Sequence, residues 1–447
     1  MGASDSIGRL VRGQGLAARA LRGSALTMLG FGGMQAIRLA SNLILTRLLY
    51  PEVFGVMTLI MVVIQGLNNF SDMGITPAIL QSRRGDDPDF LDTAFTMQAM
   101  RGVWLWLGCC VLALPVARFY EVPELVWYLP VAGLTAVLSG LLPTRIETAN
   151  RQLQLGRLTL VELASALAGT VVSILLAAAI GSAWALVIGL VLGAAIKIGM
   201  AMAMLPGHRN RLRWDRSAAA ELINFGKWIF PSTVLGFAIA QGDKAVLGKY
   251  LTMAELGIYN IGYFLASFPL LLGIAVISRV MIPIYRATTE SGPDEIAHAH
   301  QRLRRMRAAL TGGFLALLVL MAVLGPWLVG LLYDERYEEA GPLVRLIACA
   351  TIPSLIGLSY DQSALAAGDS RGFFRLTLLR SVLFIALFVA GVHYGGIAGG
   401  LAGQAMASVL AYPALALLAR RHGVWDPVHD AVFAAIGLAM AAVVLAA

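Results

Sequence analysis

The chain has 447 residues, of which 58% are hydrophobic and only 13% charged, with a mean hydropathy of +0.75. A soluble domain carries about 25% charged residues, so this composition cannot cover a globular surface with polar groups and excludes a soluble enzyme. The net charge of +8 comes from basic residues that flank apolar runs. That pattern is a membrane-topology signal and argues against nucleic acid as a partner.

In chain order, residues 1–23 read as an amphipathic N-terminal segment. Arg9, Arg12, Arg19 and Arg22 alternate with Leu10, Val11, Leu16 and Leu21, a pattern suited to an anionic membrane surface. Apolar stretches of about 20 residues, the length needed to cross a bilayer, then recur at 24–48, 53–80, 91–117, 125–148, 158–180 and 184–205. A basic connection over 206–227 separates them from 228–250, 256–284, 308–332, 342–366, 374–393 and 397–419. Residues 420–447 form a turn and a short, weak thirteenth stretch at 431–447, which leaves the side of the C-terminus open. The first apolar run is too long for a signal-peptide core, so no cleavable leader is expected. The alternating ten-residue strands of an outer-membrane barrel are absent.

Arg83, Arg84, Arg151, Arg157, Arg209, Arg211, Arg213, Arg216, Arg302, Arg304, Arg305, Arg307, Arg371, Arg420 and Arg421 fall in one set of loops. The opposite set holds little beyond Arg118, Lys249 and Arg336. This predicts a cytoplasmic N-terminus. Cys109, Cys110 and Cys349 lie in apolar spans without metal-ligand spacing, and no metal site is expected. No Walker A, nucleophile elbow or Cys-x-x-Cys motif occurs, so the chain does not read as an enzyme.

The chain also repeats itself. Leu45-x-Arg47-x-Leu49 is echoed 202 residues later by Leu247-x-Lys249-x-Leu251. Arg157-Leu158-Thr159-Leu160 is echoed 218 residues later by Arg375-Leu376-Thr377-Leu378. An even number of spans between equivalent points predicts two parallel six-helix lobes, 24–205 and 228–419, and such repeats place substrate between lobes near the membrane midplane. Gly396-x-x-x-Gly400 and Gly399-x-x-x-Gly403 predict close helix packing.

A charge at the bilayer centre costs roughly 2.5–3.5 kcal/mol and normally faces a cavity or a partner. Gln35, Arg38 and Asn42 share one face of the first span; Gln65, Asn68 or Asn69, Asp72 and Thr76 form a stripe on the second; Gln241 and Lys244 share a face of the seventh, with Asp243 beside it. These residues either line a partly cationic cavity or form structural ion pairs, Arg38 with Asp72, and Asp243 and Lys244 with partners elsewhere. For Asp72, followed by Gly74, a helix-end role stands beside the cavity reading. Glu162 and Arg380, equivalent under the second offset, either pair with one another or line the cavity. Arg145, Arg279 and Lys197 lie towards predicted span ends, where snorkelling competes with ligand contact.

The run Thr46-Arg47-Leu48-Leu49-Tyr50-Pro51-Glu52-Val53-Phe54-Gly55, followed by Asp72-Met73-Gly74 and Ala78-Ile79-Leu80-Gln81, resembles the Wzx-type oligosaccharide flippases. These form the polysaccharide-transporter branch of the multidrug/oligosaccharidyl-lipid/polysaccharide exporter superfamily. Asp243-Lys244-Ala245-Val246-Leu247-Gly248 with Leu256-Gly257-Ile258-Tyr259 is similar to the second-half pattern of that family. The resemblance implies an all-α integral membrane protein of about 12–13 helices whose lobes form a V-shaped central cavity. It implies export of an undecaprenyl-diphosphate-linked oligosaccharide across a bacterial inner membrane, with Arg38, Lys244 and, more weakly, Arg279 receiving the diphosphate. The implied partners are this polyprenyl-linked saccharide, membrane lipids, and polysaccharide polymerase and chain-length regulator proteins. No cofactor is implied; membrane potential, H+ or Na+ are the candidate driving forces. A cation-coupled multidrug exporter is the rival reading, and it would favour a carboxylate-lined cavity over cationic residues. A membrane polymerase or ligase would carry a large polar outer loop, whereas the longest here is Tyr333 to Gly341.

Overall fold

A computed structural model describes residues 16–226, 230–277, 285 and 293–446; side chains are described from Leu29 onward, except 293–300, 302, 362 and 365. Arg279 and the His298-x-His300 side chains lie outside the described residues. The described residues contain helices and no strands, as chains with many apolar spans require, because within lipid only a helix satisfies its own backbone without a closed sheet.

The first compact unit is Met1–Val234. It holds α1 (Leu16–Leu48), α2 (Pro51–Asn69), α3 (Ile75–Gln81), α4 (Pro88–Tyr120) and α5 (Leu125–Gly140), followed by α6 (Arg145–Arg151), α7 (Leu155–Ile180), α8 (Ala183–Met204) and α9 (Arg216–Gly226). α4 packs on α5, α7 on α8, and α1 on α7. Small residues permit the approach: a Cβ on Gly102 of α4 would lie 2.5 Å from the Ala136 carbonyl of α5. The predicted span 53–80 is broken, because Gly74 adopts a left-handed φ of 58° between α2 and α3. The span 125–148 likewise bends by 52° between α5 and α6.

The second unit, Leu235–Ala447, contains most of α10 (Phe230–Tyr250), then α11 (Met253–Ala266), α12 (Phe268–Ile277), α13 (Pro293–Leu332), α14 (Ala340–Ile356), α15 (Asp361–Ala366), α16 (Ser370–Arg421) and α17 (Pro427–Ala446). α16 has 52 residues but is not one rod. Gly395 and Gly396 leave helical geometry, and a Cβ on Gly391 would meet the Gly399 carbonyl at 2.1 Å, one on Gly403 the Leu387 carbonyl at 2.2 Å. Residues 16 apart in a straight helix are about 24 Å distant, so the chain folds back here into two antiparallel limbs, matching the predicted spans 374–393 and 397–419. Gly399, Gly400 and Gly403 form the predicted packing seam, while Gly396 makes the turn.

Eight described helices are long and apolar enough to cross a membrane, or eleven when each bent pair counts as one span. α1 falls outside that number because Gln35, Arg38 and Asn42 dilute it. With α1 and the second limb of α16 added, thirteen crossings result. The doubtful thirteenth stretch is thus a full helix: α17 begins four residues earlier than predicted, at Pro427, and packs against α13 and α14. The chain is a multi-pass membrane protein.

The 206–227 segment also differs from expectation. Arg145 caps the end of α8, donating to the carbonyls of Met202 (3.0 Å), Leu205 (3.1 Å) and His208 (3.1 Å). The chain then runs along the start of α4 and turns into α9, whose Ala218, Ala219 and Leu222 enter a buried cluster with Phe90, Leu91 and Ala94. The described part of the segment is therefore an integral part of the first unit.

Candidate functional site

The face of α1 carrying Gln35, Arg38 and Asn42 is polar in the middle of a membrane helix. Arg38 is ten residues from Leu48, about 15 Å along the axis, which is half the thickness of a ~30 Å hydrocarbon core. It is exposed, and Nη1 donates to Gln35 Oε1 at 3.4 Å. Asn42 is half-buried, and its carbonyl accepts from Thr46 Oγ1 at 2.9 Å.

Asn68 lies one turn before the break between α2 and α3. Arg101 of α4 holds that turn: Nη2 donates to the Asn68 carbonyl at 2.7 Å and Nε to Ser71 Oγ at 2.9 Å. Asp72 Oδ1 accepts from the Gly74 N–H at 2.9 Å. That bond closes the turn between α2 and α3. Arg101 was not anticipated as a site residue, although a single arginine in the interior of an apolar 33-residue helix is a readable signal.

Between α1, α2, α5, α7 and α8 lies a cavity of about 760 Å³, lined among others by Ser41, Asn68, Ser139, Glu162, Ser173 and Lys197. It offers a carboxylate, an ammonium, an amide and several hydroxyls, and so presents both donors and acceptors to a polyhydroxylated ligand. Glu162 therefore belongs to a cavity within the first unit. Its expected partner, Arg380, donates from Nη1 to both oxygens of Asp361 at 2.9 and 2.8 Å. The ion pair that forms joins the start of α15 to α16.

In the second unit, Asp243 and Lys244 of α10 are buried, Lys244 to 7% exposure. Lys244 Nζ lies 3.7 Å from Asp243 Oδ1 and 3.8 Å from the ring centroid of Tyr263 on α11. Tyr259 donates to Asp243 Oδ2 at 2.8 Å. The two side chains pair with one another, and the ammonium also covers an aromatic face. Gln241, one turn earlier, is half-buried.

A second buried polar cluster was missed. Arg307, read from the sequence as a loop charge, is 1% exposed. It donates to the Val424 carbonyl at 2.8 Å and to Tyr285 Oη at 2.9 Å, and it stacks 4.3 Å from the Tyr360 ring centroid. Tyr360 donates at 2.9 Å to both oxygens of Asp430, and Tyr412 donates to Oδ2 at 2.7 Å. His429 Nδ1 approaches Oδ1 at 2.9 Å. This network ties the start of α17 to α13, to the turn before α15 and to α16. Its sequence signal was the pair of carboxylates at Asp426 and Asp430 flanking the first turn of an apolar run.

A family model described as "Polysaccharide biosynthesis protein" matches residues 44–342. The chain is 21% identical over 362 residues to the lipopolysaccharide biosynthesis protein WzxC of Escherichia coli (strain K12), covering 80% of this chain and 72% of that protein. It is 23% identical over 397 residues to the succinoglycan biosynthesis transport protein ExoT of Rhizobium meliloti (strain 1021), covering 85% and 74%. Among solved structures, the lipid II flippase MurJ in an inward closed conformation superposes with a TM-score of 0.66 at 11% identity, covering 95% of this chain and 92% of that one. An inward-facing multidrug resistance MATE family transporter of the MOP superfamily gives 0.65 at 14% identity, covering 87% and 96%. At these identities the structures report the fold alone.

Proposed function

Because the chain belongs to the polysaccharide biosynthesis protein family, we propose that it is a flippase that moves an undecaprenyl-diphosphate-linked oligosaccharide across the membrane by alternating access. The observation that carries this reading beyond membership is the exposed Arg38 at mid-depth of a membrane helix. A diphosphate cannot enter ~30 Å of hydrocarbon unaided, and a guanidinium is the side chain suited to hold it bidentately. Gln35, Asn42 and the hydroxyl-rich cavity beside Asn68, Glu162 and Lys197 supply hydrogen-bonding groups for sugars, while the polyprenyl tail stays in lipid. The multidrug alternative shares the fold, but a cationic mid-membrane group repels organic cations.

The membrane is the bacterial inner membrane in this reading, with the N-terminus in the cytoplasm, as the arginine-rich loops require. Polysaccharide polymerase and chain-length regulator proteins would act on the exported product. Moving about two negative charges outward across an inside-negative membrane gains roughly 2.3 kcal/mol per charge per 100 mV, so the potential contributes to the driving force. The test is flipping of a labelled polyprenyl-diphosphate saccharide in vesicles reconstituted with purified protein, with and without an imposed potential. No flipping of any polyprenyl-diphosphate saccharide would remove the functional reading. A rate indifferent to potential would remove the driving force alone.

A further inference from the structure

The segment that joins α8 to α9 is clamped at its backbone and exposed at its side chains. Alternate main-chain N–H groups donate to side chains on the first turns of α4: Arg211 to Asp92 Oδ1 at 3.0 Å, Arg213 to Thr96 Oγ1 at 2.9 Å and Asp215 to Thr93 Oγ1 at 3.0 Å. Thr96 Oγ1 donates back to the Arg213 carbonyl at 2.9 Å. Asn210 is fixed on Thr144, accepting from its N–H at 3.0 Å, and His208 Nε2 sits 2.7 Å from Asp92 Oδ1. Such a clamp holds an extended strap flat against the helices that it crosses.

What the strap presents outward is apolar and basic. Leu212 is 74% exposed and Trp214 50%, and Arg209, Arg211, Arg213 and Arg216 are exposed around them. Arg213 pairs with Asp89; among the described residues, Arg209, Arg211 and Arg216 have no ion-pair partner. The strap starts five residues after α8 ends at Met204 and lies on the first turns of a helix of 33 residues. That helix is about 50 Å long and so extends beyond a ~30 Å core. The strap therefore runs at the level of the lipid headgroups, where tryptophan concentrates and arginine reaches phosphate.

We propose that the 209–216 strap is an interfacial anchor for anionic phospholipid, with Leu212 and Trp214 entering the headgroup layer and Arg209 and Arg211 selecting its phosphates. The occupant is the bilayer's own anionic lipid, since a large apolar side chain beside cations that lack ion-pair partners complements a charged headgroup with an acyl chain behind it. This inference is independent of transport.

The test reconstitutes the full chain in vesicles free of any saccharide lipid, containing either brominated phosphatidylglycerol or brominated phosphatidylcholine at equal mole fraction. Quenching assigned to Trp214 is obtained by difference from Trp214→Phe, because the chain has eight tryptophans. Brominated phosphatidylglycerol should quench Trp214 more strongly than phosphatidylcholine. A basic residue at an anionic surface contributes about fivefold in selectivity, so Arg209→Gln with Arg211→Gln should reduce the preference by about 25-fold. Both keep the main-chain clamp. Raising salt on the unaltered protein should lower the same preference without any substitution. Trp214 emission insensitive to both brominated lipids, or quenched equally by the two, overturns the proposal.

Discussion

Replacing Tyr360 by Phe removes one hydroxyl that donates at 2.9 Å to each oxygen of Asp430 and accepts the Asp426 N–H at 3.2 Å. Tyr360 is 1% exposed and Asp430 4%, so water does not replace the lost bonds. A hydrogen bond to a charged group contributes about 1.5–3 kcal/mol, and a buried donor left without an acceptor costs about 1–3 kcal/mol. The expected destabilisation is therefore about 3 kcal/mol. At about 2–4 °C per kcal/mol for a unit of roughly 200 residues, the unfolding midpoint falls by about 6–12 °C. With Cys109 and Cys110 replaced by Ser, Cys349, buried beside α17 in the second unit, is the reporter: a thiol-reactive dye added during heating in detergent reads the opening of that unit. Asp430→Asn and the double variant complete a cycle whose coupling should be about 1–3 kcal/mol, as for residues in one network. A midpoint for Tyr360→Phe within 1 °C of the unaltered protein, or strictly additive single effects, would refute the idea that α17 is docked through this cluster.

Arg38→Ala should abolish flipping in the vesicle assay, with the unfolding midpoint measured on the same preparation to separate lost function from lost fold. Arg38→Lys should retain part of the activity, charge surviving without bidentate geometry. Gly399→Leu should block accumulation of folded protein, measured by size-exclusion profile after extraction, since a Cβ there would lie 2.1 Å from the Gly391 carbonyl oxygen and rigid backbone stands in the way. Asp369, at the start of α16, accepts from the Gly372 N–H at 2.8 Å, with His422 Nε2 3.3 Å away, and the Gly372 bond in particular lowers its pKa below the ordinary carboxylate value. Its stabilising contribution is thus complete above about pH 4, the unfolded value, and is lost as pH falls through the lower folded one. Asp369→Ala should flatten that acid limb in a melting series over pH and lower stability by about 1 kcal/mol at neutral pH, as loss of a helix cap does.

Much of this architecture is written in local patterns. A bilayer tolerates only backbones that satisfy themselves, so runs of apolar residues translate directly into helices, whereas the breaks inside 53–80, 125–148 and 256–284 left no mark on hydropathy. The α1 face was readable for the same reason: three polar residues at helical spacing inside lipid have to be answered by something polar. The glycines at 396–403 announced a close seam because only they let two backbones touch.

The fate of each charge was decided by tertiary structure. Lys244 and Arg38 look alike in the chain, yet one is buried beside Asp243 and against the Tyr263 ring of α11 while the other stays exposed, because the packing of a later helix determines burial. Arg307 read as one more topology arginine until Tyr285, Tyr360 and the Val424 carbonyl gathered around it. Arg380 chose Asp361, 19 residues upstream, over the carboxylate that symmetry suggested. The basic 206–227 connection read as a linker because its charges suit water; its backbone N–H groups had partners only once the first turns of α4 lay alongside. Hydropathy reports the solvent that each segment meets and is local by nature. Pairing depends on which distant side chain the packing brings within 3 Å, and no linear pattern carries that information.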